Sequence, residues 1–295
     1  MPTIQPDLSK GVIYAVKGRA YANMAISSAR SLKQHCPEIP IDIFTDVEID
    51  EPAFARVILT ETIPRFQKIP AIQNSRFEKT LFLDADTFIV ADISDVFLVL
   101  DQFDIALAHD QYRNFDTTHR PLWKYIPNAF PQMNGGVIAY NNSTNVLEMF
   151  KKWERYILES QDNRDQPSLR EVLWESDLRI ATLPEEYNLM KYDAVARWTE
   201  LQCAPRIIHH RSLNRRDNEN ARFDKLEDCI GRPLANQIEK LLKADRQLAE
   251  TPDTRKIPRA TGIPIADVRP IKPSIWAGLV QKMDASLKVI GIKRR

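Results

Sequence analysis

The chain has few cysteines, no long apolar run, no surplus of charge of either sign and no internal repeat, and each lack closes off a class of protein. Cys36, Cys203 and Cys229 are the only cysteines among 295 residues. Odd in number and far apart, they suggest neither a disulfide framework nor a cysteine-based zinc site. No stretch approaches the uninterrupted run of about 20 apolar residues that spans a bilayer, and the opening MPTIQPDLSKG has no signal-peptide core. The expectation is a cytosolic protein. With 41 basic against 40 acidic residues the formal net charge is +1, so no global field draws in a nucleic acid. What is present is 43% hydrophobic content, enough for one large α/β domain with appendages.

GVIYAV (11–16) reads as a buried strand, and Ala22, Ala25, Ile26, Ala29 and Leu32 then recur at helical spacing until Cys36-Pro37. Residues 41–46, 56–60 and 80–86 are further strand candidates, the last preceded by a helix near Phe66 to Ser75. Strands alternating with helices predict a mostly parallel sheet, in which ligands gather at the carboxyl ends of the strands. Beyond this, 92–103 predicts a capped helix, 104–110 a strand, 133–141 a strand opened by paired glycines, 143–160 and 166–174 helices, and 178–184 and 205–210 late strands. Residues 111–132 are rich in aromatic, proline and polar side chains, the composition of a lid or binding loop. Prolines at 252, 258, 264, 270 and 273 predict an extended linker over 250–273. In 274–295, Trp276, Leu279, Val280, Met283, Leu287 and Ile290 fall on one face of a short basic amphipathic helix.

The stretch TLFLDADTFIV (80–90) sets Asp84 and Asp86 inside an otherwise apolar segment. Ionised side chains in low dielectric are costly unless paired, hydrogen-bonded or bound to a metal. Two carboxylates one residue apart, just beyond a buried strand, can hold a hard divalent cation and through it phosphate oxygens. The bare pattern D-x-D arises often by chance. An EF-hand loop would need an oxygen ligand at Phe88 and glycine where Ile89 stands. A haloacid-dehalogenase phosphatase usually continues Gly-Thr where this chain has Thr87-Phe88. The plain alternative is one carboxylate capping a turn and the other facing solvent.

The order of GVIYAVKGRAYANMAISSARSL, FEKTLFLDADTFIV, FDIALAHD, MNGGVIAYNN, DQPSL, LPEEYN and RIIHH resembles that of the retaining GT-A glycosyltransferases of the glycogenin and bacterial lipopolysaccharide galactosyltransferase type. The resemblance runs from about Gly11 to His210. It implies a Rossmann-like, mostly parallel mixed sheet flanked by helices, with 1–249 as the catalytic domain. It implies transfer of a hexose from a nucleotide diphosphate donor, expected to be a UDP-sugar, to a glycan, lipid or protein acceptor, with manganese or magnesium as cofactor.

On this resemblance Asp84 and Asp86 form the metal-binding pair, Asp84 also reaching the ribose beside Ala85, and His209 is the distant third ligand, preferred over the adjacent His210. A neutral imidazole suits manganese. Ala15 and Val16 would offer backbone groups to the nucleobase and Tyr21 a stacking face, although Lys17, Gly18 and Arg19 stand where the family often has acidic or amide residues. Lys68 and Arg76 would meet phosphate or sugar oxygens. Asp110, Asn134, Gly135 and Gly136 match the donor-sugar site. Asp165 and Gln166 match the pair beside the anomeric carbon, where a covalent intermediate on a carboxylate and a single-step same-face route both remain open. For Asp165 the structural alternative is an N-cap with Pro167 in the first turn.

Two other classes compete. A sugar nucleotidyltransferase would carry a glycine-rich loop with Arg and Lys after the first strand, which is missing here, and a non-catalytic nucleotide-sugar binder would bind without hydrolysing the donor. For the 274–295 helix, peripheral contact with the inner face of a membrane through Trp276 and its basic residues and packing on the catalytic domain both stay open.

Overall fold

The computed structural model describes residues 8–60, 68–115, 122–160, 164–210, 213 and 223–249. The expected 250–273 linker and 274–295 helix lie outside the described residues, as does the start of the helix expected near Phe66.

Among the described residues, seven strands form the central sheet. They are β1 (Lys10–Val16), β2 (Ile41–Thr45), β3 (Arg56–Leu59), β4 (Lys79–Leu83), β6 (Ile105–His109), β7 (Met133–Asn141) and β8 (Ile180–Thr182), in the order β3-β2-β1-β4-β7-β6-β8. β1, β2, β3 and β4 are parallel neighbours and β6 is parallel to β8, while β7 runs antiparallel to both β4 and β6. A separate ribbon pairs β5 (Thr87–Ile89) with β9 (Ile207–His209) antiparallel.

The sheet is apolar on both faces because successive side chains alternate. Val12, Tyr14, Leu81, Leu83, Val137 and Ala139 point to one face, against α1 (Arg19–His35) and α3 (Val96–Val99). Ile13, Phe82, Ile138 and Tyr140 point to the other, against α2 (Lys68–Gln73), α4 (Thr144–Glu159) and α5 (Gln166–Trp174). A third apolar cluster, including Phe88, Leu189, Ile208, Ile238 and Leu241, joins the β5–β9 ribbon to α6 (Leu226–Ile230) and α7 (Arg232–Ala244), which α8 (Arg246–Ala249) follows. At roughly 25 cal/mol per Å² of apolar surface, layers of this kind supply the main stabilising term.

Two of the expected elements take another form. The helix expected over 92–103 shrinks to Val96–Val99, because Asp92 Oδ1 accepts the Ser94 N–H at 2.7 Å and holds a turn where the helix should already run. The apolar stretch 80–90 is two strands in two sheets, broken at Asp84-Ala85-Asp86.

Candidate active site

The break in that stretch is what builds the site. β4 ends at Leu83, and the chain turns through Asp84, Ala85 and Asp86 before β5 leaves for its own ribbon. The turn is pinned from both sides. The Asp84 N–H donates to Gly136 O at 2.8 Å, and Asp84 O accepts from Thr87 Oγ1 at 2.8 Å. Thr87 Oγ1 lies 2.7 Å from Ser28 Oγ, which lies 2.8 Å from Tyr14 OH, so a buried run of hydroxyls ties the turn to α1 and β1. Each such hydrogen bond contributes about 1 kcal/mol, and each buried partner is costly to orphan. The main chain at Asp86 is held too, its carbonyl accepting the His210 N–H at 3.2 Å.

The β5–β9 register sets Thr87 opposite His209 and so brings a distant imidazole to the turn. His209 Nε2 stands 3.4 Å from Asp86 Oδ1 and 3.9 Å from Asp84 Oδ2. One ligand atom from each of the three residues lies within 4.8 Å of the others. Bonds of about 2.1 Å place adjacent octahedral ligands about 3 Å apart, so a modest contraction gathers this set around one ion. Two carboxylates and an imidazole suit manganese or magnesium better than a thiol-seeking metal.

The acid–base balance of the cluster follows from its packing. Burial would lower the His209 pKa, but the hydrogen bond and charge of Asp86, with Asp84 behind it, raise it above the ordinary range. Burial would raise the Asp86 pKa, but His209 pulls it below the usual carboxylate value. For Asp84 burial prevails and the pKa is raised, against the opposing charges of Lys68 and His209.

These residues line a cavity of about 410 Å³ shared with Lys68, Asp110, Asn134, Asp165 and Gln166. The topology explains the meeting. β7 runs against its neighbours, so its first residues, Asn134, Gly135 and Gly136, reach the same edge as the ends of β4 and β6. Lys68 opens α2 and forms an ion pair with Asp165, and its ammonium donates to Gly135 O at 3.3 Å. Burial would lower the Lys68 pKa, but Asp165 and Asp84 more than offset it and keep the ammonium charged. Asp165 sits at the N-cap position of α5 without capping it: its side chain goes to Lys68, and Trp153 Nε1 holds its carbonyl at 2.9 Å. The capping alternative for Asp165 is therefore not what the structure shows. Gln166 Oε1 accepts from Gln132 Nε2 at 3.1 Å, and the buried Asp110 accepts the Tyr112 N–H at 2.8 Å.

The remaining expected residues fall into two groups. Ala15 and Val16 end β1, the strand beside β4, and Tyr21 lies partly buried in the first turn of α1. They and Ala85 do not line the cavity that holds the carboxylates. Arg76 lies apart from the cavity. Its guanidinium is taken bidentately by Asp42, at 2.7 and 3.0 Å, and stays out of the cavity, so Lys68 alone of the two expected cations reaches the site. His210 lines the cavity, but its ring packs edge-on to Tyr192 at 4.6 Å and only His209 joins the carboxylate cluster. Asn188, not expected from the sequence, hydrogen-bonds His209 Nδ1 at 2.8 Å. The motif LPEEYN contains it, but an asparagine after a tyrosine carries no signature of burial.

The model of the nucleotide-diphospho-sugar transferase family matches residues 71–223, which include Asp84, Asp86, the Asn134 turn, Asp165 and His209. The chain belongs to this family. Among solved structures the transferase is similar to the galactosyltransferase LgtC, solved with donor and acceptor sugar analogs, at 14% identity and TM-score 0.53 over 83% of this chain and 98% of that one. It is also similar to the glycosyltransferase GlyE of Streptococcus pneumoniae TIGR4, at 18% identity and TM-score 0.52 over 79% of this chain and 60% of that one. The bifunctional glycosyltransferase WbbM matches at 15% identity and TM-score 0.50, over 82% of this chain and 53% of that one. At such identities the likeness concerns the fold, which is GT-A. No curated protein matches by sequence. Among the described residues of the enzyme no helix is long and apolar enough to cross a membrane.

Proposed function

We propose that the enzyme moves a hexose from a UDP-sugar to a glycan, lipid or protein acceptor with retention of anomeric configuration, and that Asp84, Asp86 and His209 hold Mn²⁺ or Mg²⁺. The observation that carries this reading is the three-ligand cluster in the same cavity as the Lys68–Asp165 pair and Gln166. An ion held there would neutralise charge developing on the departing nucleotide diphosphate.

The chain's own groups have separable tasks. Lys68 adds a second positive charge on the diphosphate side. Asp110, Asn134 and the bare backbone of Gly135 and Gly136 orient the donor sugar, where missing side chains permit close approach. Asp165 and Gln166 stand beside the anomeric carbon. The Lys68 ammonium keeps the Asp165 carboxylate from drifting and partners its charge. Ala15, Val16 and Tyr21 serve the nucleobase, and Asp84 with Ala85 the ribose. The enzyme works in the cytoplasm.

A panel of nucleotide sugars tests the reading by manganese-dependent thermal shift and slow donor hydrolysis, in the wild-type enzyme and in Asp86→Ala. One donor should stabilise and be hydrolysed in the wild type only, with a loss of at least about 100-fold in the variant. Donor protection that persists unchanged in Asp86→Ala would rule out the metal assignment, and binding without hydrolysis would make the protein a non-catalytic binder.

A further inference from the structure

Asn188 is completely buried, and its side chain lies between the glycine turn of β7 and the imidazole of His209. The orientation of its amide follows from a donor that has only one possible role. The backbone N–H of Gly136 donates to the Asn134 side chain at 2.9 Å, so the atom it meets must be the carboxamide oxygen, Oδ1. The same oxygen lies 3.0 Å from the Asn188 side chain, which must therefore present its nitrogen, Nδ2. That leaves Asn188 Oδ1 facing His209 Nδ1 at 2.8 Å. A carboxamide oxygen only accepts, so Nδ1 must carry the proton.

From this relay we infer that Asn188 is a positioning residue that holds His209 in the Nδ1–H tautomer and leaves the Nε2 lone pair aimed at Asp84 and Asp86. The device has a clear purpose. Asp86 Oδ1 lies 3.4 Å from Nε2 and attracts a proton to that atom. Left to the carboxylates alone, a neutral ring would favour Nε2–H and turn a donor hydrogen, rather than a lone pair, toward the cluster. Partners of this kind fix ring orientation and ligand basicity in metal sites.

The backbone around Asn188 is braced for the task. Its N–H donates to Glu185 O at 3.0 Å, closing a short 3-10 turn over Glu185–Tyr187. The next residue, Leu189, bonds to β9 through both its main-chain groups, its N–H to Ile207 O at 2.8 Å and its carbonyl to the His209 N–H at 3.0 Å. Asn188 and His209 are thus set on adjoining strands of backbone. The relay also links the turn assigned to the donor sugar with the imidazole of the cluster, since Asn134 serves Gly136 and Asn188 with one oxygen.

The inference rests on the reading of Asp84, Asp86 and His209 as a metal site, and two measurements separate the two claims. Mn²⁺ titration followed by electron paramagnetic resonance is run without donor on the wild type, Asn188→Ala, His209→Ala and the double variant. Asn188→Ala should weaken Mn²⁺ binding about 10- to 100-fold when His209 is present, and by less than about twofold when it is absent. An equal loss in both backgrounds, or no loss, overturns the positioning role. The second measurement is the ¹⁵N signature of the His209 ring in the full-length, metal-free wild type, at a pH where the ring is neutral, assigned with His209→Gln. It needs no folded Asn188 variant and no metal. The Nδ1–H tautomer is expected, and Nε2–H would overturn the inference even if Mn²⁺ binds. A wild-type enzyme that shows Nδ1–H but binds no Mn²⁺ would sustain the relay and overturn the metal reading instead.

Discussion

Gly136 and His209 approach so closely that no side chain fits between them: a Cβ on Gly136 would stand 2.2 Å from His209 Cε1 and 2.7 Å from Asp84 Oδ2. The requirement is one of space, set by two of the three cluster residues. Gly136→Ala should push the imidazole out of the cluster, abolish Mn²⁺-dependent thermal stabilisation and cost about 1 to 3 kcal/mol of stability. Gly135→Ala meets the flexible end of Lys68 at 3.2 Å and should cost less. Calorimetry of both variants with and without Mn²⁺ checks the ranking, and equal metal response in wild type and Gly136→Ala would refute it.

Protons and metal should compete for His209. Asp86 and Asp84 outweigh burial and hold the ring proton above the ordinary value of 6.5. Ligation through Nε2 requires that proton to leave. Apparent Mn²⁺ affinity should therefore rise with pH through and above 6.5, with proton release per ion shrinking as the ring becomes neutral. Isothermal titration in two buffers of different ionisation enthalpy measures the release, and His209→Ala should flatten the dependence.

The strand bearing His209 is anchored from behind by a buried ion pair. Asp245 accepts Arg206 Nη1 at 2.9 Å and the Ala204 and Gln247 N–H groups at 2.7 and 2.9 Å. Asp245→Ala leaves the Arg206 guanidinium buried without its counter-charge, a loss of about 3 kcal/mol. Urea denaturation should show it as a lower midpoint. Because Arg206 directly precedes β9, Mn²⁺ affinity should fall in the same variant, and unchanged affinity would mean that the ribbon holds its register unaided.

Glu175, which does not line the cavity, offers a stability test separate from the carboxylate cluster. Burial would raise its pKa, but hydrogen bonds from Lys124, Lys152 and Tyr156 prevail and hold it at about 2, below its ordinary 4.5. A carboxylate with a depressed folded pKa contributes stability that is complete above its unfolded value and is lost as pH falls toward the folded one. The melting-temperature gap between wild type and Glu175→Gln should be constant above about pH 4.5 and close as pH falls toward about 2. A gap that widens in acid would show that the carboxyl is not the group responsible.

Much of this site was legible in the sequence because its signals are local. β1, β4 and β7 announce themselves as short apolar runs, and Asp84-Ala85-Asp86 stands out because charge interrupts one of them. What escaped was set by long-range pairing. Nothing near Phe88 says that β5 leaves the main sheet, and nothing near Asp42 says that its carboxylate will capture Arg76. Lys68 and Arg76 look equivalent in the chain, and only the start of α2 beside β7 distinguishes them. Asn188 is the sharpest case, since its importance lies wholly in two side chains supplied by β7 and β9. The helices over 226–249 went unassigned although Ile238 and Leu241 bury one face.

The ribbon of β5 and β9 also bears on the order in which the molecule comes into being. Thr87 and His209 meet across a large loop of chain. Closing such a loop carries an entropic cost, and pairings of this range tend to form late. A cation that needs all three ligands therefore finds no home on a half-made polypeptide. Asp84 and Asp86 leave the ribosome long before their imidazole partner, so the three-residue cluster assembles only once the ribbon has closed.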